Sequence, residues 1–335
     1  MTRSRYAALA AAIVLAPTAA FGWGSSGHRI IGEAAMRALP AELPGFLRTS
    51  QAAIDVGELS REPDRAKGAG KTFDSDLDPG HFLDVDDAGK VLGGPALSAL
   101  PLTRAEYEAQ LKAAGTDSWK GGFLPYSILE NWQLVARDFA MWRVLSAAVA
   151  NPQWSAHKAW FAGELGRREA LTLRDIGTLS HFVADGSQPL HVSVHFNGWG
   201  DFPNPDGYTT ARIHSPFESD LVRYQVDPAA VAAQMTPTHL CNCPIDQRMR
   251  GYLTQTVNQV IPLYQLEKAG GLMKGDPRGT AFATKQLAIG ASELRDMIAE
   301  AWAASLTQTV GWRPVPVQDV LSGKTDPYAA LYGID

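Results

Sequence analysis

The sequence predicts an all-α fold, arranged as a single compact and mostly helical domain with long loops. Three observations favour this class. Apolar residues recur at helical spacing along much of the chain, alternating strand patterns are scarce, and no internal repeat or low-complexity linker divides the 335 residues. Hydrophobic residues make up 45% of the chain, which is enough to bury a sizeable core.

Five segments carry the helical pattern most clearly: 30–39, which Pro40 closes, then 127–149, 172–184, 249–266 and 281–306. Their apolar stripes are typical of core-facing helix surfaces. Stretches rich in Gly, Pro and Asp lie between them, at 68–101, at 197–216 and after Trp312, and we expect these to be loops. The expected organisation is a domain over 23–312 and a carboxy-terminal tail over 313–335.

Residues 1–22 have the three parts of a secretory signal peptide. Arg3 and Arg5 precede an apolar run, and small residues around Ala20 and Gly22 form a cleavage site. The apolar run is too short to serve as a permanent membrane anchor. We therefore expect a periplasmic or secreted protein whose mature chain begins at Trp23.

The chain is acidic, which excludes one mode of ligand binding. Its formal net charge of -5 becomes -7 when the two arginines of residues 1–22 are removed, because that segment holds no acidic residue. Such a protein has no bulk basic surface for duplex nucleic acid. Any phosphate ligand must therefore be held locally, by metal ions or by a few placed cations. The two cysteines, Cys241 and Cys243, are so close in sequence that we expect a mutual disulfide to be strained.

The stretch 179–191, Leu-Ser-His-Phe-Val-Ala-Asp-Gly-Ser-Gln-Pro-Leu-His, carries the strongest chemical signal. His181 and Asp185 are four residues apart, so on a helix they project from one face. Gly186 and Pro189 end that helix, and His191 follows on the next turn. A histidine and a carboxylate at this spacing commonly clamp zinc, although a pair on its own is more often a solvated surface pair.

Other histidines lie near carboxylates or near the expected start of the mature chain. His214 and Glu218 form a second pair four residues apart, His81 lies among acidic residues, and His28 follows Trp23 by five residues. For a single histidine, an ordinary core or surface role is the better interpretation. Because the chain has only eight histidines, so many at ligand-like spacing predict a polynuclear metal site.

The motif Trp-Gly-Ser-Ser-Gly-His at 23–28 resembles the mature start of the zinc-dependent single-strand nucleases of plants and fungi, the mung bean nuclease type. The zinc phospholipase C enzymes are structural siblings of that family. The resemblance extends to about residue 218 and implies nine metal ligands. In chain order these are Trp23, His28, Asp64, His81, His181, Asp185, His191, His214 and Glu218.

The resemblance implies three zinc ions per chain and therefore loops arranged around a trinuclear zinc cleft. The tryptophan amine would bind as a free α-amino group, which cleavage after Gly22 would supply. The implied ligand sets are Asp64, His81, His181 and Asp185 for one ion; Asp185, His28 and the amino and carbonyl groups of Trp23 for the second; and His191, His214 and Glu218 for the third.

The resemblance also implies catalytic and substrate-binding roles. A zinc-activated water would attack phosphorus in line, with Asp64 as a candidate general base. Lys67 would stabilise charge on the phosphoryl oxygens, with a solvated loop lysine as the alternative. Phe82 and Asp84 match positions that stack on and hydrogen-bond a base, although a core phenylalanine and a loop-capping aspartate are credible alternatives.

Departures from the family pattern leave the substrate open. Glu218 stands where the nucleases usually carry Asp, and it matches the phospholipase pattern. The loop before it is aromatic, with Trp199, Phe202 and Tyr208, and suits a lipid head group as well as a base.

We expect a zinc endonuclease for single-stranded DNA and RNA, with 3′-nucleotidase activity as an extension. A phospholipase C acting on phospholipid head groups and a non-catalytic zinc-binding protein are the alternatives. The sequence implies no stable protein partner.

Overall fold

A computed structural model of the protein describes residues 23–333, and the predicted signal peptide, residues 1–22, lies outside this range. The described chain is mostly helical, so the predicted all-α class is confirmed. Its named strands are one short antiparallel pair, β1 (Thr309–Val310) and β2 (Val315–Pro316). No helix among the described residues is long and apolar enough to cross a bilayer.

Fifteen α-helices follow one another along the described chain, and a few single turns connect them. The first seven are α1 (Gly24–Arg37), α2 (Ser50–Leu59), α3 (Glu62–Ala66), α4 (Lys71–Leu77), α5 (Arg104–Ala113), α6 (Ser118–Gly121) and α7 (Leu124–Ala150). The other eight are α8 (Lys158–Ser187), α9 (Val222–Gln225), α10 (Pro228–Gln234), α11 (Ile245–Val257), α12 (Val260–Lys268), α13 (Pro277–Ala304), α14 (Val317–Leu321) and α15 (Tyr328–Tyr332).

The long helices α1, α2, α7, α8 and α13 pack on one another and enclose the main core. Their buried faces carry large side chains such as Ile31, Phe139 and Leu287. α8 begins fourteen residues before the predicted segment 172–184, because its first half is largely exposed and lacks a strong apolar stripe.

The predicted helix over 249–266 is two helices, α11 and α12, which meet at Asn258 and Gln259. Pro262 explains the interruption. Proline has no backbone N–H and is tolerated best in the first turn of a helix, so a new helix begins at Val260 and places Pro262 in its first turn.

The described part of the segment after Trp312 is not the loop that the sequence led us to expect. It contains α14 and α15, and Val317 and Val320 are buried against Ala140 and Val144 of α7 in a second hydrophobic cluster. Helices of five residues are too short to show periodicity in the sequence, and only packing against α7 reveals them.

Cys241 and Cys243 form a disulfide despite the single residue between them. Their Cα atoms are 5.2 Å apart, within the usual range for bridged cysteines. The bond closes a small loop that precedes α11, and backbone N–H groups of this segment donate to carboxylates of α13.

Candidate metal centre

Histidine and carboxylate side chains from segments far apart in sequence converge at one buried place. They form three groups in which the candidate ligand atoms lie within 4.8 Å of one another. The groups are His28, His181 and Asp185; Asp64, His81 and His181; and His191, His214 and Glu218.

Asp185 lies between these groups and is fully buried. Its Oδ1 atom is 3.6 Å from Nε2 of His28 and 3.8 Å from Nδ1 of His191, and its Oδ2 atom is 3.3 Å from Nε2 of His181. Histidines therefore approach both oxygens of this carboxylate, and that Asp185 bridges two cations stays a prediction.

The first two groups adjoin because they share His181. Its ring stacks on the ring of His28, with centroids 4.1 Å apart. Asp64 of α3 approaches both rings, at 3.8 Å from His28 and 3.9 Å from His181, and is 4.0 Å from Nε2 of His81.

The third group is built on a single π-helical turn and the turn that follows α8. His214 Nε2 lies 2.8 Å from Oε2 of Glu218, and Nε2 of His191 is 3.6 Å from the same oxygen. Glu218 belongs to the π-helical turn Pro216–Leu221. Gln188, whose role the sequence analysis missed, donates from its side-chain amide to this carboxylate at 3.3 Å. It also accepts from the backbone N–H of Leu190, so it ties the two turns together.

Backbone carbonyls orient four of the five histidines. A carbonyl only accepts hydrogen bonds, so the bonded Nδ1 carries the proton and Nε2 presents its lone pair to the group, as metal-binding histidines do. The pairs are His81 with Leu77 and Asp78, His181 with Ser60, His191 with His81, and His214 with Phe196, at 2.7 to 3.1 Å.

Most of the buried nitrogens and oxygens that face the inside of the three groups make no hydrogen bond. Among residues 23–333, eight buried nitrogens and oxygens of predicted metal ligands lack a hydrogen-bond partner, and a ninth, Oδ1 of Asp64, faces the ammonium of Lys67 at 2.8 Å. Native proteins leave few such atoms, so a cluster of them indicates a missing partner. Because the cluster consists of imidazole nitrogens and carboxylate oxygens, a metal cation fits it.

Metal binding needs neutral imidazoles and ionised carboxylates, and the electrostatics favour these states at three candidate ligands, His28, His81 and Asp64. Burial, reinforced by His181, lowers the pKa of His28 to about 3, and burial keeps that of His81 well below its usual range. Burial alone would raise the pKa of Asp64, but His181 and Lys67 lower it to about 2. Against the effect of burial, Asp185 and Glu218 raise the pKa of His191 to about 9, so this part of the centre attracts positive charge.

Two backbone contacts bring the loop histidines together. The N–H of Leu83 donates to the carbonyl of His191 at 2.8 Å, and the N–H of Val194 donates to that of Val85 at 3.1 Å. The two segments therefore run side by side, and His81 lies beside His191.

Trp23 lies at the start of α1 with its ring fully buried. The indole N–H donates to the Ser187 hydroxyl at 2.7 Å, and the ring packs on Phe217 with centroids 5.4 Å apart. Gly27 is required here, because a Cβ atom at this position would lie 2.5 Å from Cβ of Trp23. The packing holds the start of α1 near the end of α8. That the amino and carbonyl groups of Trp23 bind metal stays a prediction.

The predicted catalytic and substrate residues border the same centre. Lys67 is not a solvated loop lysine, because its side chain is 6% exposed and Nζ lies 2.8 Å from Oδ1 of Asp64. Phe82 is partly buried, and its ring lies near Gly122. Asp84 is partly buried near His191, and burial raises the pKa of its carboxyl to about 8.

The aromatic loop does not present all three of its aromatic side chains to a substrate. Trp199 and Tyr208 are buried and pack against Tyr264, while Trp199 also stacks on His195 at 3.7 Å. Phe202 alone of the three predicted aromatic residues is exposed. The aromatic composition of the loop predicted contacts with a lipid head group or a base, whereas tertiary packing buries Trp199 and Tyr208 in the core.

A cleft of about 340 Å³ adjoins the centre, and the sequence analysis did not identify all of its lining. Its walls include Asp64 and two arginines, Arg61 and Arg65, on either side of it in sequence. The spacing of these arginines around a predicted ligand was visible in the sequence and is the signal that would have found them.

Comparison with known protein families and with curated proteins finds no match for this chain.

Proposed function

We propose that this protein is an exported zinc-dependent phosphodiesterase that hydrolyses single-stranded DNA and RNA. The observation that carries the proposal is the set of orphaned inner ligand atoms around Asp185, with three histidine and carboxylate groups in contact. A non-catalytic structural site usually closes around one ion with four ligands, which is a smaller set than this one.

Different residues of this chain would bind the metal ions, stabilise phosphoryl charge and orient the attacking water. The three groups would hold zinc ions, which when bound supply Lewis-acid activation of water and neutralise phosphate charge. Lys67, mostly buried against Asp64, would place a positive charge at the phosphoryl oxygens. Asp64 stays ionised at neutral pH because its pKa is low, so it would orient the attacking water through a hydrogen bond rather than donate a proton.

The phospholipase C alternative retains one supporting observation, the glutamate at position 218 in the third group. Because Trp199 and Tyr208 are buried, the aromatic loop no longer supports either a lipid head group or a base. We prefer a nucleic acid substrate because the start Trp-Gly-Ser-Ser-Gly-His resembles that of the nucleases rather than that of the phospholipases.

The test is hydrolysis by zinc-loaded protein that begins at Trp23. Single-stranded DNA, RNA, bis(p-nitrophenyl) phosphate and phosphatidylcholine vesicles are the substrates, each with and without chelator. Release of nucleotides that stops on chelation is the expected result. Cleavage of lipid alone supports the phospholipase, and bound zinc without any turnover supports the non-catalytic protein.

The variant Asp185→Asn tests whether the central carboxylate is needed for metal binding and activity. It keeps the shape of the side chain but removes the charge shared by His28, His181 and His191, so zinc content falls and kcat/KM falls at least about 100-fold. His239→Gln is the matched control, because this histidine is exposed and outside the three groups.

A further inference from the structure

The cleft beside the candidate metal centre is lined in part by residues that have no role in the proposed hydrolysis. Asp64 is a candidate ligand, Gly24 follows Trp23 and Ser219 follows Glu218, so three lining residues connect the cleft to the centre. The other lining residues are Ser25, Arg61 and Arg65. The two arginines therefore lie on the same cleft as the candidate ligand Asp64.

The two arginines are held in place by carboxylates. Arg61 immediately precedes α3 and Arg65 lies one turn later, where its backbone N–H donates to the Arg61 carbonyl at 3.2 Å. Arg61 pairs with Glu58 at 2.7 Å, and Arg65 pairs with Glu62. A guanidinium has five N–H donors, and a carboxylate engages at most two of them in a bidentate pair. Each arginine therefore retains donors for an anion.

These ion pairs have an ordinary structural interpretation as well. Exposed pairs of this kind contribute little to stability, and Arg65 is about half exposed. Their position argues for a further role, because both arginines line a cleft that also contains the candidate ligand Asp64.

From this arrangement we infer that Arg61 and Arg65 form a subsite for a second phosphate group, next to the one that is hydrolysed. Arginine suits this role because its planar fork matches phosphate oxygens in a bidentate way. The substrate class that fits is a chain of phosphodiesters, as in single-stranded nucleic acid, rather than a lone phosphodiester with a single phosphate. The inference rests on the proposed phosphodiesterase function.

The kinetic test compares substrates with and without a flanking phosphate. Zinc-loaded wild-type protein and the double variant Arg61→Gln/Arg65→Gln act on a tetranucleotide and on a dinucleoside monophosphate. We expect the ratio of kcat/KM for the tetranucleotide to kcat/KM for the dinucleoside monophosphate to fall about tenfold in the double variant. A factor of this size corresponds to the loss of one charged hydrogen bond. An unchanged ratio overturns the subsite.

A matched control is available in Arg37→Gln/Arg167→Gln. Arg37 and Arg167 form similar helical pairs, with Glu33 and Glu164, but neither lines the cleft. The control removes the same charge and breaks two helical ion pairs, whereas the cleft variant breaks three because Arg65 also lies 3.9 Å from Glu58. The control should keep the wild-type ratio. A fall equal to that of the cleft variant would assign the effect to net charge and overturn the subsite.

A binding measurement gives a second readout that does not depend on turnover. A fluorescent phosphorothioate oligothymidylate, which resists hydrolysis, is titrated into zinc-loaded protein at several salt concentrations. Loss of one neutralised phosphate should reduce the slope of log Kd against log salt by about 0.7. An unchanged slope overturns the subsite whichever substrate is cleaved. Wild-type protein that hydrolyses no phosphodiester would instead refute the proposed function.

Discussion

The indole N–H of Trp23 donates to the hydroxyl of Ser187, and this 2.7 Å hydrogen bond joins the start of α1 to the last residue of α8. Ser187 lies two residues after Asp185, so the bond ties the segment before α1 to the helical turn that carries the central carboxylate. Residues 164 positions apart in the chain thus hold the start of α1 against the end of α8.

Replacing Ser187 tests how much this link contributes to stability. Ser187→Ala leaves the buried indole N–H without an acceptor, so the free energy of unfolding should fall by about 1–3 kcal/mol. Urea denaturation followed by circular dichroism measures the change. Ser155→Ala, at an exposed serine, is the control and should have almost no effect. Equal stability of the two variants would show that the bond contributes nothing.

A protein that keeps one extra residue before Trp23 tests the amino-terminal ligand. In this protein the α-amino group of Trp23 becomes part of a peptide bond and can no longer bind metal. We therefore predict one zinc ion fewer per chain and the loss of most activity. Mass spectrometry of the metal content, beside protein that begins at Trp23, measures this. Full zinc and full activity in the lengthened protein would refute the ligand role of Trp23.

Gly122→Ala should disturb the segment that carries His81 and Phe82. A Cβ atom at Gly122 would lie 2.0 Å from the carbonyl oxygen of Phe82, whereas Gly115 has open space around it at a similar positive φ. Both substitutions incur the backbone cost of about 1 kcal/mol. The clash should cost Gly122→Ala about 1–3 kcal/mol more and lower its zinc content. Thermal unfolding of Gly122→Ala and Gly115→Ala measures the two losses of stability. Equal losses would refute the close approach of Gly122 to Phe82.

Asp138 of α7 should make stability depend on pH. Burial raises the pKa of its carboxyl to about 6, although Arg168 of α8, 2.5 Å away, opposes the shift. A pKa above the unfolded value of 3.8 means that the folded state binds the extra proton. This stabilisation is fully present below pH 3.8 and is lost as the pH rises through 6.

Asp138→Asn removes that titration. Relative to wild type, the variant should therefore gain stability between pH 4 and 7.5, by up to about 3 kcal/mol. Urea denaturation of both proteins in chelator measures the difference, since metal release is then absent from both. Asp220→Asn, at an exposed aspartate, should show no such trend. A difference that does not change with pH would contradict the raised pKa.

The local parts of the site could be predicted from the sequence because they obey the helical period. His181 and Asp185 project from one turn of α8, and His214 and Glu218 are in contact across one turn, as their spacing indicated. The predicted long helices exist for the same reason. The break at Pro262 was readable as well, although the sequence analysis treated the segment as continuous.

Other features depended on contacts that no local pattern encodes. The aromatic residues Trp199 and Tyr208 were expected at a binding surface and are core, because Tyr264 from α12 packs against them. The α14 helix exists because α7 offers an apolar surface to it. Short or isolated apolar segments look alike in a sequence whether or not a partner covers them.

By itself, the sequence determined which residues have the chemistry to bind metal, through their types and their spacing within helices. Only the tertiary structure decided that His28 stacks on His181, that Asp185 lies between three histidines, and that arginines border the cleft. The physical reason is that the two kinds of feature depend on interactions over different separations along the chain. Spacing along a helix is set by backbone geometry, whereas the meeting of α1, α3 and α8 is set by the burial of apolar faces throughout the fold.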